Sequence, residues 1–182
     1  MSDEDPGLFD AVYECVTIQL DETIRCWERT SAAEVEAFAR MLCGAQALLF
    51  AGSGRSCHIL AASAHRFGAS GVTVAVADRM APPTVFTGTT MVAACASGGT
   101  VWLKDLGDRA KAAGATLAVC TGRRDSPLAM SADTLFWLDA FSPGNGKPPA
   151  SQQRTGVLFD QALFMVLEAV AEMLEQRRIV RS

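Results

Sequence analysis

A chain of 182 residues, 49% apolar and 20% charged, has the size of one globular domain that can bury a sizeable core. A net charge of −4 with no basic stripe or tail excludes the electrostatic footprint of a nucleic-acid binder. No apolar run approaches the roughly 18–20 residues that cross a bilayer, and the acidic start Met1-Ser2-Asp3-Glu4-Asp5 is unlike a secretory signal, so a cytoplasmic protein without membrane contact is expected.

In chain order, residues 8–27 place Leu8, Val12, Cys15, Val16 and Leu20 at helical spacing and predict an amphipathic helix. Ser31-Ala32-Ala33-Glu34 has the form of a capping box, in which each side chain satisfies an otherwise unpaired N–H. A second helix, apolar at Val35, Phe38, Ala39 and Leu42, then runs to about Gly44. From residue 46 short apolar runs alternate with helical segments, predicting strands at about 47–51, 72–77, 90–95, 115–120 and 134–138 and helices at about 55–69, 100–113 and 127–131. Five runs separated mostly by helices, with no hairpin dipeptide between them, predict an α/β fold built on a doubly wound, five-stranded parallel sheet.

Phe141-Ser142-Pro143-Gly144-Asn145-Gly146-Lys147-Pro148-Pro149 is too rich in Gly and Pro for regular structure and reads as a loop. A last helix over 156–178 carries Leu158, Phe159, Ala162, Leu163, Val166, Val170 and Leu174, a face broad enough to pack on the sheet or on another subunit. The single domain thus comprises N-terminal helices (1–45), a βα core (46–140), a loop (141–155) and a C-terminal helix (156–178). The six cysteines (15, 26, 43, 57, 95 and 120) form no Cys-x-x-Cys pair and are expected to be reduced and mostly in the core. With two histidines they compose no metal site.

Two turns carry the functional signal. Leu48-Leu49-Phe50-Ala51 breaks into Gly52-Ser53-Gly54-Arg55-Ser56 as strand passes to helix, and Gly52 and Gly54 let a ligand approach the main chain where the next helix dipole favours an anion. The third strand ends in Cys95-Ala96-Ser97-Gly98-Gly99-Thr100, again just before a helix. In a flavodoxin-like order 2-1-3-4-5 these two strand ends flank the switch point where ligands bind, so the turns face each other. Ser56, Ser97 and Thr100 can then donate to phosphate oxygens together with main-chain N–H groups. A dinucleotide site is the rival, because Asp78 stands where a ribose-binding acid belongs. Against it, Cys57 occupies the place of the third glycine of Gly-x-Gly-x-x-Gly, and the absence of Gly-Lys-Ser/Thr excludes a Walker A loop.

On these residues the chain resembles, over nearly its whole length, the sugar isomerase (SIS) domain family, most closely its 6-phospho-3-hexuloisomerase branch. Gly52-Ser53-Gly54-Arg55-Ser56 is similar to that branch's Gly-x-Gly-Arg-Ser, and Arg66 to its Met-Arg-Leu position. Cys95-Ala96-Ser97-Gly98-Gly99-Thr100 is similar to its Ser-Gly-Ser-Gly-x-Thr, and Gly156-Val157-Leu158-Phe159-Asp160-Gln161 to its Gly-Thr-x-Phe-Glu-Gln. The resemblance implies a cytoplasmic enzyme that interconverts a 3-hexulose 6-phosphate and fructose 6-phosphate without metal or organic cofactor. It also implies a homodimer or homotetramer with pockets near subunit contacts. Cys95 and Ala96 depart from Ser and Gly, Val157 from Thr, and Asp160 from the Glu taken as catalytic in the branch.

Moving a carbonyl between neighbouring carbons needs a base that takes a carbon-bound proton and returns it next door, and a carboxylate at the start of a helix bounding the pocket suits that role. Asp160, at the place of the branch's catalytic Glu, is the base that the resemblance implies. His58, in the first turn after Gly54, is a further candidate for catalysis. His65, among Ala61, Ala62 and Ala64, is expected to pack, or to enter a neighbour's pocket in an oligomer. The expected substrate contacts are Gly52, Ser53, Gly54, Arg55, Ser56, Cys95, Ser97, Gly98 and Thr100, with Lys147 as a second cation if its loop closes over the sugar. A SIS domain that binds a sugar phosphate without turning it over is the alternative reading.

Overall fold

The computed structural model describes residues 7–77, 79, 84, 87–140 and 151–181, the last five for backbone only. Two helices, α1 (Leu8–Glu28) and α2 (Ala32–Gly44), precede the core. The core runs β1 (Ala47–Gly52), α3 (Arg55–Ala69), β2 (Thr73–Val76), β3 (Thr89–Cys95), α4 (Val101–Ala112), β4 (Thr116–Thr121), α5 (Pro127–Met130) and β5 (Thr134–Trp137). The chain closes with α6 (Val157–Arg181). All strand pairs are parallel and the order is β2-β1-β3-β4-β5, as the alternation of apolar runs and helices predicts. Lys147 and Asp78 lie outside the described residues.

β1 and β3 are buried along their whole length and mostly apolar because both faces of the sheet are covered. Side chains alternate between faces along each strand, so Leu48, Phe50, Val92, Ala94, Ala118 and Cys120 join the core under α2, α3 and α6. Leu49, Ala51, Met91, Ala93, Leu117 and Val119 pack instead with Leu103 and Leu106 of α4 and Leu128 of α5. Phe38 of α2 stacks on Phe136 of β5 with centroids 4.8 Å apart, and Phe50 of β1 meets Phe67 of α3 edge-on at 5.6 Å. The predicted face of α6 is buried at Leu158, Phe159, Ala162, Leu163, Val166 and Val170. Arg66 ties α3 to the same helix through Glu172 (2.6 Å) and Glu175 (3.0 Å). These contacts bring the start of α6 back beside the start of α3.

The apolar stripe of α1 faces largely outward: Leu8 is 83% exposed and Ile24 58%, and the helix buries only Glu22, Thr23 and Cys26. Two local expectations are corrected. Of the capping box only half forms. Ser31 Oγ accepts from Glu34 N at 3.5 Å, but the Glu34 carboxylate accepts from Trp137 N at 3.0 Å and pairs with Arg124 at 2.6 Å, the Arg124 guanidinium lying 4.3 Å over the Trp137 ring. The tertiary partner outcompetes the local one because it also satisfies a strand-end N–H. The cysteines divide evenly: Cys26, Cys95 and Cys120 are buried, whereas Cys15 is exposed on α1. Among the described residues no helix is long and apolar enough to cross a membrane.

Glu34→Ala strands a half-buried N–H of Trp137 and should destabilise the fold by about 1–3 kcal/mol, lowering Tm by about 2–4 °C per kcal/mol in a domain of this size. Ser31→Ala loses only a long cap bond and should cost about 0.5 kcal/mol. Calorimetry checks the order; a larger loss in Ser31→Ala would return Glu34 to a local capping role.

Candidate active site

At the end of β1 the chain turns sharply into α3. A Cβ on Gly52 would lie 2.6 Å from Cys57 N, so only glycine lets the first turn of α3 fold back against the strand end. At the end of β3 the second turn is pinned at Gly98, whose φ is +64° and whose Cβ would fall 2.0 Å from Ser126 Oγ. Leu128 N, at the start of α5, donates to Gly98 O at 3.4 Å. Sequence order alone puts both turns at the C-terminal edge of the sheet, and the strand order makes them neighbours.

Between them opens a cavity of about 260 Å³ lined by Ser53, Arg55 and Ser56 from the first turn and by Cys95, Ala96, Ser97 and Thr100 from the second. No side chain caps α3 at Gly54 or α4 at Thr100 among the described residues, so first-turn N–H groups of both helices remain for an anion. The second turn is organised by Cys95: its Sγ lies 3.1 Å from Thr100 Oγ1 and 3.5 Å from Ser97 Oγ. Ser97 Oγ in turn accepts from Gly99 N at 3.4 Å. The thiol that departs from the family pattern thus holds two hydroxyls of the loop together.

The third wall comes from the start of α6, where Thr155 and Gly156 lead to Asp160. Asp160 is 4% exposed. Its Oδ1 accepts from Ser56 Oγ at 2.6 Å, and Arg55 Nε stands 3.6 Å from Oδ2. Burial raises its pKa; the Ser56 bond and the Arg55 charge, which favour the ionised form, oppose this, and the net direction is upward. A carboxyl moved toward neutrality is a stronger proton acceptor once ionised. Because Ser56 has one hydroxyl hydrogen and directs it to Asp160, the other hydroxyls that line the cavity, those of Ser53, Ser97, Thr100 and Thr155, are the ones left to face an anion.

The histidines stand apart from this carboxylate. His58 is exposed and lines a second cavity, about 500 Å³, that shares Ser53 with the first and includes Cys57, Arg79 and Trp102 in its wall. His65, expected to pack, is exposed on α3, because the buried side of that helix runs through Leu60, Ser63 and Phe67. Thr155 is a wall residue that the sequence does not single out; its only local signal is its place directly before the glycine that opens α6.

No protein-family model matches the chain. A 3-hexulose-6-phosphate isomerase of Mycobacterium gastri is 32% identical over 165 residues, covering 91% of this chain and 83% of that one. The chain belongs to the 3-hexulose-6-phosphate isomerase family. Solved structures agree with this family in fold. A Methanococcus jannaschii protein, whose structure was taken to infer a 3-hexulose-6-phosphate isomerase function, superposes with a TM-score of 0.70 at 16% identity over 90% of each chain. The Vibrio vulnificus NanR protein complexed with ManNAc-6P gives a TM-score of 0.71 at 12% identity, covering 92% of this chain and 63% of its own.

If the Ser56 bond holds the Asp160 pKa down against burial, Ser56→Ala should raise it further, since the ionised form loses a donor and the neutral form does not. Titration of the Asp160 carboxyl carbon by NMR reads this directly; an unchanged or lower midpoint would mean that the bond does not form in solution.

Proposed function

We propose that this family member is a cytoplasmic phosphosugar isomerase that interconverts a 3-hexulose 6-phosphate and fructose 6-phosphate through a 2,3-enediol, with Asp160 as the base. The observation that carries this reading is a buried carboxylate in the same cavity as two uncapped helix N-termini and a Ser/Thr turn. The phosphate seats on the N–H groups of α3 and α4 with the hydroxyls of Ser97 and Thr100, which fixes the sugar with its middle carbons toward Asp160. Asp160 takes the proton from C2 of the 3-ketose as the C3 carbonyl becomes an enediolate oxygen. The hydroxyl proton passes from O2 to O3, and Asp160 returns its proton to C3 as the C2 carbonyl forms. Arg55, 62% exposed, adds charge at the rim.

The direct experiment follows fructose 6-phosphate formation from the 3-hexulose phosphate. Asp160→Asn keeps the side-chain shape and should lower kcat by about 10²–10⁴ with little change in ligand affinity. Ser97→Ala and Thr100→Ala each remove one charge-assisted hydrogen bond and should weaken phosphate binding about 10- to 150-fold. Full turnover in Asp160→Asn would remove this residue as the base, and tight binding without turnover in the native protein would make the chain a sugar-phosphate sensor.

The exposed stripe of α1 supports a second part of the proposal, that copies of this chain associate through it. Val16 and Leu20 line an apolar groove with Phe164 and Met165 of α6, and an exposed patch of this kind is characteristic of a subunit contact. Sedimentation should show a dimer or tetramer and not a 19.3 kDa monomer, and Leu20→Glu should shift it toward the monomer. A native species that sediments as a monomer at micromolar concentration would contradict the association.

A further inference from the structure

Glu22 is the anomaly of α1. On a helix whose apolar residues stand in solvent, this carboxylate is buried at 9% exposure. A buried charge needs compensating donors, and Glu22 has three from one short segment. Ser151 Oγ donates to Oε2 at 2.5 Å, Gln153 Nε2 to the same oxygen at 2.8 Å, and Gln152 N to Oε1 at 2.7 Å. Gln153 Nε2 is shared with Gln161 Oε1 at 3.1 Å, and Gln161 Nε2 reaches back to Gln19 Oε1 of α1 at 2.9 Å. This grip leaves Gln153 Oε1 buried without a partner among the described residues.

The segment so held runs directly into the site. Thr155 and Gly156 follow and wall the cavity, Val157 N donates to Arg154 O at 3.0 Å, and Asp160 N donates to Gly156 O at 3.1 Å. Gln161, the other end of the grip, is the residue next to Asp160. We infer that Glu22 is a positioning residue for the isomerase site: by gripping residues 151–153 it fixes the Thr155–Gly156 wall over Asp160 and so keeps the base dry and aimed. This rests on the reading of the Asp160 cavity as the active site. Burial pushes the Glu22 carboxyl up, but its three donors and Arg25 outweigh that and lower it from its ordinary value, as expected of a carboxylate gripped in its ionised form.

The decisive readout is Asp160 itself. Among the described residues the other ionisable groups lining its cavity are Arg55 from α3 and Cys95 from the end of β3, and neither is a partner of Glu22. In Glu22→Ala the wall is released and water reaches Asp160, so its carboxyl, followed by NMR, should titrate at lower pH than in the native protein. Where the native protein turns over, kcat should fall about 10- to 100-fold with KM nearly unchanged, because the loop that holds phosphate is intact. Glu22→Gln, which keeps the shape and one acceptor, should fall between. Gln153→Ala, which cuts the link to Gln161 without removing the carboxylate, carries the same expectation as Glu22→Ala if that variant does not fold. An Asp160 midpoint equal to the native one in the folded variants, whatever their melting temperatures, would overturn the inference and leave Glu22 a fastening for α1. The titration needs no turnover, so a native protein inactive on the 3-hexulose phosphate would overturn the proposed reaction while this inference is still decided by Asp160.

Discussion

The buried hydrogen bond from Ser56 to Asp160, 2.6 Å long, joins residues 104 positions apart, and most of the architecture is what makes it possible. Ser56 is placed by the turn at Gly52, where any side chain would collide with the α3 backbone. Asp160 is placed by α6, which must cross the face of the sheet and pack against α3 to bring its first turn to the end of β1. The order β2-β1-β3-β4-β5 then sets the Cys95–Thr100 turn opposite, so that a carboxylate from the end of the chain and an anion site from its middle share one cavity.

In the proposed function that cavity takes a phosphate with few full positive charges. A lysine beside the phosphate would also stabilise the ionised form of Asp160 and make it a weaker base. Hydroxyls and helix N-termini line the cavity instead, and the one cation on the rim among the described residues, Arg55, is largely in water. The proposed function thus puts the two roles on different elements: the N-termini of α3 and α4 with the turn before α4 for the phosphate, α6 for the proton.

The parts legible in the sequence are those whose cause is local. Apolar runs at 47–51 and 90–95 become buried strands because parallel strands covered on both faces need nothing else, and Gly52 and Gly98 sit where the turns demand them. Asp160 is reached through the family pattern at 156–161. What the sequence hides is long-range. Glu34 leaves its local cap for Trp137, 103 residues away, and Ser56 gives its proton to Asp160. Glu22 binds donors 129 to 131 residues on. Helical spacing finds the apolar stripe of α1, but it places His65 on α3 without saying which side of that helix is buried.

The proposed function rests on one chemical act, the movement of a carbon-bound proton of the sugar by Asp160. Incubating the protein with fructose 6-phosphate in heavy water and following the C3 proton by NMR tests it most directly, because abstraction at C3 to form the enediol lets solvent deuterium return there. The C3 proton signal should decay with the native protein and persist with Asp160→Asn. Decay at the native rate in Asp160→Asn, or no decay with native protein that binds the sugar phosphate, would contradict that role for Asp160.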